Sequence, residues 1–368
     1  MSASADKYYN GVYQKYEGDL VFKDEVFQTC KDMFKYQVYL NSVKFINCKV
    51  LGSCESMFEN SGISSVDLSG LDTSEVTSMK NMFYGCNGLD KLDINCLNTS
   101  NVIDMSGMFE CHCPNYPGLS EIILDKIDTS SVTDMHNMFS GLSNLRTIDV
   151  RNFNTSNVKD MSRMFSCCSE ISKLELPWDV SNVINMKEMF ASMKYLHELK
   201  IKDWNTSNVA NMKNMFNGCT WLKELELNWN ISKVTTMKAM FERCKRLKKI
   251  KLRLTVSEPI TLKSMFSKCN RLEDIDIEIT GTGVINTKRM FNHCKSLTNL
   301  NLKLDTSTIN NMKYMFYNCI GLKTIDFTGW KLSDDANTSD MFYNCKFEHV
   351  TLDDVSEEDA KILEYEMD

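Results

Sequence analysis

The sequence predicts an α/β repeat: a solenoid of about thirteen turns of about 25 residues, with parallel strands on the concave face and a cap at each end. Three observations predict it. Met-Phe occurs thirteen times between Met33 and Phe342. Eleven of the twelve intervals between these pairs measure 24 to 26 residues, and one measures 30. Apolar residues recur at fixed distances behind each pair, so every unit has a face that it buries only by stacking on its neighbours. A chain of 368 residues would otherwise suggest two or three domains. The period makes it one repeat domain.

Residues 1–29 fit no full unit and are expected to cap the open N-terminal edge, with Leu20 and Phe22 in a capping strand. The solenoid is expected over 30–352. Counted from its Phe, a typical unit carries Cys at +3 and apolar residues at +6, +9 and +11, as in Cys219, Leu222, Leu225 and Leu227 after Phe216. The L-x-x-L-x-L ending alternates at period two, the pattern of a short strand with one buried face. An Asx/Ser turn follows, as in Asn98-Thr99-Ser100 or Asn205-Thr206-Ser207, whose short side chains bond back to the main chain. V-x-x-M-x-x-M-F closes the unit. Two Met at three-residue spacing, such as Met212 and Met215, suit one tight helical turn or a corner that buries both. Residues 353–368 are expected to form an acidic helical cap, because Ser356-Glu357-Glu358-Asp359 is like a capping box and Ile362 and Leu363 would close the last turn.

The 30-residue interval holds four inserted residues around Cys111–Pro117, with two of the chain's four Pro, and is expected to bulge as a loop. Loops that break a regular repeat are where function concentrates, so Cys111, His112 and Tyr116 are partner-contact candidates. The C-H-C run lacks the second ligand pair that structural zinc takes, and no metal is expected there.

The pattern M-F-x-x-C-x-x-L-x-x-L-x-L with N-T-S-x-V-x-x-M resembles the BspA-like leucine-rich repeat family over roughly Cys30 to Leu352. The resemblance implies a leucine-rich-repeat superhelix with no catalytic residues to carry over. It also implies a surface or secreted protein, such as an adhesin, since relatives are mostly surface or secreted proteins of bacteria and protists, several of them adhesins, with related repeats in large DNA viruses. The polar, Tyr-rich N-terminus departs from the bacterial surface type, having neither the basic start nor the apolar stretch of a secretory signal. A cytoplasmic location is therefore expected, with the cell surface, secretion or a virion as alternatives by a non-classical route.

Sulfur dominates the composition, with 24 Met and 15 Cys. Met-x-x-Met would suit soft metals, but both Met recur at the repeat period beside Phe, where Met fills a core. Cys stands at +3 in eight units, from Cys86 to Cys345. Reduced, buried thiols acting as small apolar residues are expected there. Trp178, Trp204 and Trp229 fall in one column that elsewhere holds Leu or Ile. They form either core packing or a partly exposed contact strip. Five N-x-S/T sequons, at Asn98, Asn154, Asn205, Asn230 and Asn337, are explained by the repeat turn itself.

Residues interleaving the strand leucines should point outward, where leucine-rich repeats recognise partners. They change sign abruptly: Lys248, Lys249, Lys251 and Arg253 are followed one turn on by Asp274 and Asp276. Such a spot either neutralises itself across the ladder or reads an acidic patch on a protein. A net charge of −7 and this small basic spot argue against nucleic acid, and no apolar run is long enough to span a membrane. No nucleophile–base pair, phosphate loop or metal motif occurs, so neither catalysis nor a cofactor is expected. The expected function is a non-enzymatic scaffold binding protein, with an adhesin, or a structural component of a large assembly such as a virion, as alternatives.

Overall fold

The computed structural model describes residues 15–111, 118–227, 229–281 and 283–367. The chain is a parallel-strand solenoid of about thirteen turns. Its contacts divide it into two units, Met1–Val180 and Ser181–Asp368.

Strand length follows the local sequence. Where an Asx/Ser turn comes soon after the leucines, strands stop after three residues, as in Lys91–Asp93 and Glu121–Ile123. Where that turn is missing, at Thr255-Val256 and Thr280-Gly281, the strands run seven residues, Lys249–Thr255 and Asp274–Thr280. Short strands divide the parallel stack into separate ladders. In the second unit Glu224–Glu226, Lys249–Thr255, Asp274–Thr280 and Asn299–Lys303 form one four-stranded parallel sheet. Ile250, Leu252 and Leu254 face the core at 6% exposure or less, while Lys249, Lys251 and Arg253 face solvent.

The Met-Phe corner contains no helix; it is the tight corner that buries both Met. Residues on either side of the pair take left-handed backbone turn after turn, including Asn81 (φ 52), Gly85 (φ 65), Asn214 (φ 57) and Gly218 (φ 79). Bonds of the i→i−3 kind, such as Met82 N to Met79 O at 3.1 Å, alternate with bonds to the next turn. Those inter-turn bonds all run the same way: Met79 N to Asp104 O, Asn81 N to Ser106 O, Phe83 N to Met108 O and Gly85 N to Glu110 O, at 2.8–3.0 Å. A pleated parallel pair alternates in direction. Here every second corner N–H makes an inter-turn bond, and all of these point toward the C-terminal end.

Ladders of like residues fill the interior. Stacked Phe rings run from Phe34 to Phe165 in the first unit and from Phe190 to Phe342 in the second, with neighbouring centroids 5.1–6.0 Å apart. The Thr of the Asx/Ser turn forms a second ladder that pattern reading missed. Thr129 Oγ1 donates to Asn154 O at 3.0 Å and accepts from Asn154 N at 2.8 Å. Thr99 and Thr73 bond the turns after them in the same double way. In the neighbouring position, Asn98 Oδ1 accepts from Ser100 N at 3.1 Å, as an Asx turn requires.

At the N-terminal end, Gly18–Lys23 pairs with Leu40–Ile46 in the ladder used by later turns, with Phe22 opposite Phe45. The segment expected to cap the edge thus supplies a strand of the stack itself. At the other end, the described helix spans Glu357–Tyr365, and Ser356 Oγ accepts from Asp359 N at 3.1 Å. Leu363 is buried and Ile362 is exposed, so one of the two residues expected to close the last turn does so. The same helix places carboxylates on the last corner: Glu366 accepts from Met341 N at 3.4 Å and from Thr338 Oγ1 at 3.3 Å.

Candidate partner-binding surface

The strand face of the second unit carries an ordered charge lattice. Parallel register sets Glu224, Lys249, Asp274 and Asn299 in one row, and Glu226, Lys251, Asp276 and Asn301 in the next. Arg253, Glu278 and Lys303 make a third. Charges alternate in sign from strand to strand because each strand repeats one sign at every second residue. Arg253 Nη2 lies 2.6 Å from Asp276 and its Nε 3.2 Å from Glu278. Lys249 and Lys251 lie 3.9 Å from Asp274 and Asp276. The hydrogen bond from Arg253 holds the Asp276 carboxyl below its usual range, with Lys251 and Asn301 adding to the effect. Lys248 is exposed just before the strand, and its backbone N–H donates to Lys223 O at 3.0 Å.

Arg253 is therefore held by two carboxylates, whereas the two Lys are 66% and 71% exposed and only loosely paired. Exposed pairs of this kind contribute about 0–1 kcal/mol, so they exchange partners readily. The backbone beneath is rigid, because the two long strands are hydrogen-bonded on both sides.

The other candidates fare differently. Trp178, Trp204 and Trp229 are 5–6% exposed. Trp178 Nε1 donates to Val150 O at 2.9 Å, and Trp229 Nε1 to Ile201 O at 3.1 Å. Bulky indoles displace the usual Leu and find carbonyls one turn back, so these rings pack the core and offer no contact strip. Cys111 is buried, its Sγ 3.1 Å from Asn87 Oδ1. The chain packs closely here: a Cβ on Gly141, which sits at φ 81, would collide with the Cys111 carbonyl. His112 and Tyr116 lie outside the described residues.

The eight Cys of the +3 column are more than small apolar residues. Each thiol donates to the carbonyl of the Phe one turn back, as in Cys219 to Phe190 at 3.0 Å and Cys269 to Phe241 at 3.0 Å. Burial pushes the Cys219 and Cys86 thiols up to about 12. No disulfide joins the described cysteines, and no cluster of His, Cys, Asp or Glu among the described residues is arranged to hold a metal. No helix among the described residues is long and apolar enough to cross a membrane.

The repeat itself identifies the family. Residues 24–115, 112–197, 170–279 and 260–360 match the family described as "Mycoplasma protein of unknown function, DUF285". The chain belongs to that family. No curated protein matches it. Among solved structures, a leucine-rich repeat protein from Bacteroides ovatus is similar at 18% identity and a TM-score of 0.41, over 87% of this chain and 86% of that one. A Leptospira interrogans LRR protein is similar at 10% identity and a TM-score of 0.24, over 90% and 89% of the two chains. An internalin from Listeria monocytogenes is similar at 16% identity and a TM-score of 0.26, over 76% and 80%. The DUF285 repeat is thus the unit in which this chain's Met-Phe corners and strand ladders are built.

Proposed function

We propose that the chain is a non-enzymatic scaffold of the BspA-like leucine-rich-repeat kind, binding protein through the strand face of its second unit. One observation carries this: Lys249 and Lys251 project from a fixed sheet beside Asp274 and Asp276, each cation loosely held at 3.9 Å. A surface of alternating sign matches another protein's mixed charges, and it repels a uniform polyanion at every second strand. Such a lattice specifies register and partner choice more than raw affinity.

The test is capture from the native source. Wild-type chain and the double variant Lys249→Glu/Lys251→Glu are immobilised in parallel and washed at rising salt. The wild type retains a partner that the variant loses, and the retained amount falls with salt because exposed charge pairs are screened. Identical captured sets from the two chains would sink the proposal. Thermal melting of both variants serves as the control, since exposed substitutions change stability by less than about 0.5 kcal/mol.

A further inference from the structure

Between each Met-Phe corner and its strand the chain passes through a four-residue segment. In the second unit five of these stack turn on turn: 194–197, 220–223, 245–248, 270–273 and 295–298. Each buries its third residue, and Leu196, Leu222, Leu247, Leu272 and Leu297 are at most 1% exposed. Inter-turn bonds hold the segments in line, from Trp221 N to Lys194 O at 3.0 Å, Arg246 N to Thr220 O at 3.2 Å and Lys248 N to Lys223 O at 3.0 Å. One segment, Lys245-Arg246-Leu247-Lys248, carries three cations. The turns around it add Lys194, Lys223, Arg271 and Lys295, and the five segments hold a single acid, Glu273. The repeat itself does not require this, since 87–90, 143–146 and 169–172 in the first unit hold one Arg and two acids.

These seven cations are uncompensated. None makes an ion pair among the described residues, and all but the half-buried Arg246 are exposed. Lys223 and Lys248 stand one turn apart, and like charges opposite each other destabilise a ladder. The Arg246 guanidinium lies 3.5 Å from the Trp221 centroid, which orients it by cation–π attraction. The same unit carries the counterpart charge in its C-terminal cap. Asp353, Asp354, Glu357, Glu358 and Glu364 are exposed there, and none is in an ion pair among the described residues. Lys361 is the only cation of that stretch. Helical spacing puts Glu358, Ile362 and Tyr365 on one face, where Ile362 is 39% and Tyr365 80% exposed.

We propose that this basic face takes the acidic cap of a second copy of the chain. Size and charge both agree. The nine-residue cap helix is about 13 Å long, and five turns at the spacing of paired strands span about 19 Å. The helix therefore fits within the face, its carboxylates meeting Lys245, Lys248 and Arg271 while Ile362 and Tyr365 lie on the aliphatic stems of the Lys side chains. A nucleic-acid duplex or a vesicle is larger than the face. It would overlap the strand residues alongside, where Glu224, Asp274 and Asp276 repel it. The net charge of −7 opposes approach of two copies at long range, but screening over about 8–10 Å leaves the facing patches to decide the contact. Face and cap are different surfaces, so each bound copy still offers one of them and the contact propagates head to tail.

Sedimentation velocity of the full chain tests this at low salt and at about 0.5 M salt. At low salt the wild type forms species heavier than the monomer that grow with concentration, and at high salt it returns to monomer. Lys245→Glu/Arg271→Glu on the face and Glu358→Lys/Glu364→Lys on the cap each weaken association by at least about tenfold. Mixing the two variants restores pairing, because each keeps the surface that the other has lost, and this recovery shows that both are folded. A wild type that stays monomeric at low salt, association that salt leaves unchanged, or a mixture no heavier than its components would overturn the proposal. Binding to phosphatidylserine vesicles or single-stranded RNA without self-association would assign the face to another polyanion and overturn it equally.

Discussion

Truncating one ring of the Phe ladder tests the physics of the stack. Phe241 is fully buried, 5.3 Å from Phe216 at 6° and 5.4 Å from Phe266 at 1°. Removing a buried ring costs about 3–5 kcal/mol through lost transfer energy and the cavity left behind. The two stacked pairs, each worth about 0.5–1.5 kcal/mol beyond area, account for about 1–3 of that total. Phe241→Leu keeps most of the buried area and loses the stacking, so it should fall between Phe241→Ala and the parent. Because each turn touches only its neighbours, the loss also weakens coupling between adjacent turns. Urea unfolding at fixed pH and temperature measures the difference, and native-state hydrogen exchange locates it at the corners around Phe216, Phe241 and Phe266. If Phe241→Ala costs less than about 1 kcal/mol, the ring is no part of a close-packed ladder. If Leu costs as much as Ala, buried area is not the main term.

Four further outcomes follow from the same geometry. Thr129→Val strands both the N–H and the carbonyl of Asn154, at about 1–3 kcal/mol, while Thr129→Ser stays near the parent in urea unfolding. Of the fourteen described cysteines, Cys96 and Cys167 are exposed and should take a thiol label in the native state, with the seven buried column thiols, from Cys86 to Cys319, labelled only in denaturant; mass spectrometry of the digest reads this. Histidine titrations followed by NMR should move in opposite directions. The hydrogen bond that His136 donates to Asp134 raises His136 above 6.5, so its stabilisation is full below 6.5 and fades as pH rises through the raised value. His293 is lowered from 6.5 by burial, with Lys295 and Lys268 nearby, so stability declines as pH falls from 6.5 toward its folded value, and a titration of His293 at or above 6.5 would refute that environment.

The period, the strands and the core columns were legible because each repeats a burial requirement thirteen times. Leucines at period two could only be half-buried strands, and Met at three-residue spacing beside Phe could only be interior. The backbone of the corner was not legible in the same way. Left-handed φ is usually announced by Gly or Asn, yet Glu188, Ala239, Arg289 and Tyr314 occupy it as well (φ 56–62), held by inter-turn bonds that outweigh their local preference. The Thr ladder was hidden for a related reason: a hydroxyl between Asn and Ser suggests a solvated turn, and its partner lies about 25 residues away. On the surface, the sign change at Arg253 was visible in sequence, but its two-carboxylate clamp needed the register.

The one-way corner bonds explain why the C-terminal cap is acidic. In an ordinary ladder an exposed edge offers donors and acceptors alternately, so a neutral cap satisfies it. Here each corner directs every second N–H toward the C-terminal end, and those aligned peptide dipoles sum as they do along a helix. The last corner is therefore left with a concave row of N–H groups on alternating right- and left-handed backbone, an arrangement that attracts anions. Glu366 lies against this corner, accepting from Thr338 Oγ1 at 3.3 Å and sharing at 3.4 Å the Met341 N–H that also donates to Thr338 O at 2.9 Å, while Asp359 accepts from Leu332 N at 3.3 Å. The acid in the first turn of the cap helix suits the helix dipole, but Glu364 and Glu366 at its C-terminal end, with no basic residue there, oppose it, and these carboxylates instead match the field of the stack the helix closes. Glu366→Gln keeps the shape and removes the charge, so it should lower stability by about 0.5–1.5 kcal/mol, more than Glu364→Gln on the same helix. Equal effects of the two in urea unfolding would mean that the edge carries no net field, and the acidity of the cap would need another cause.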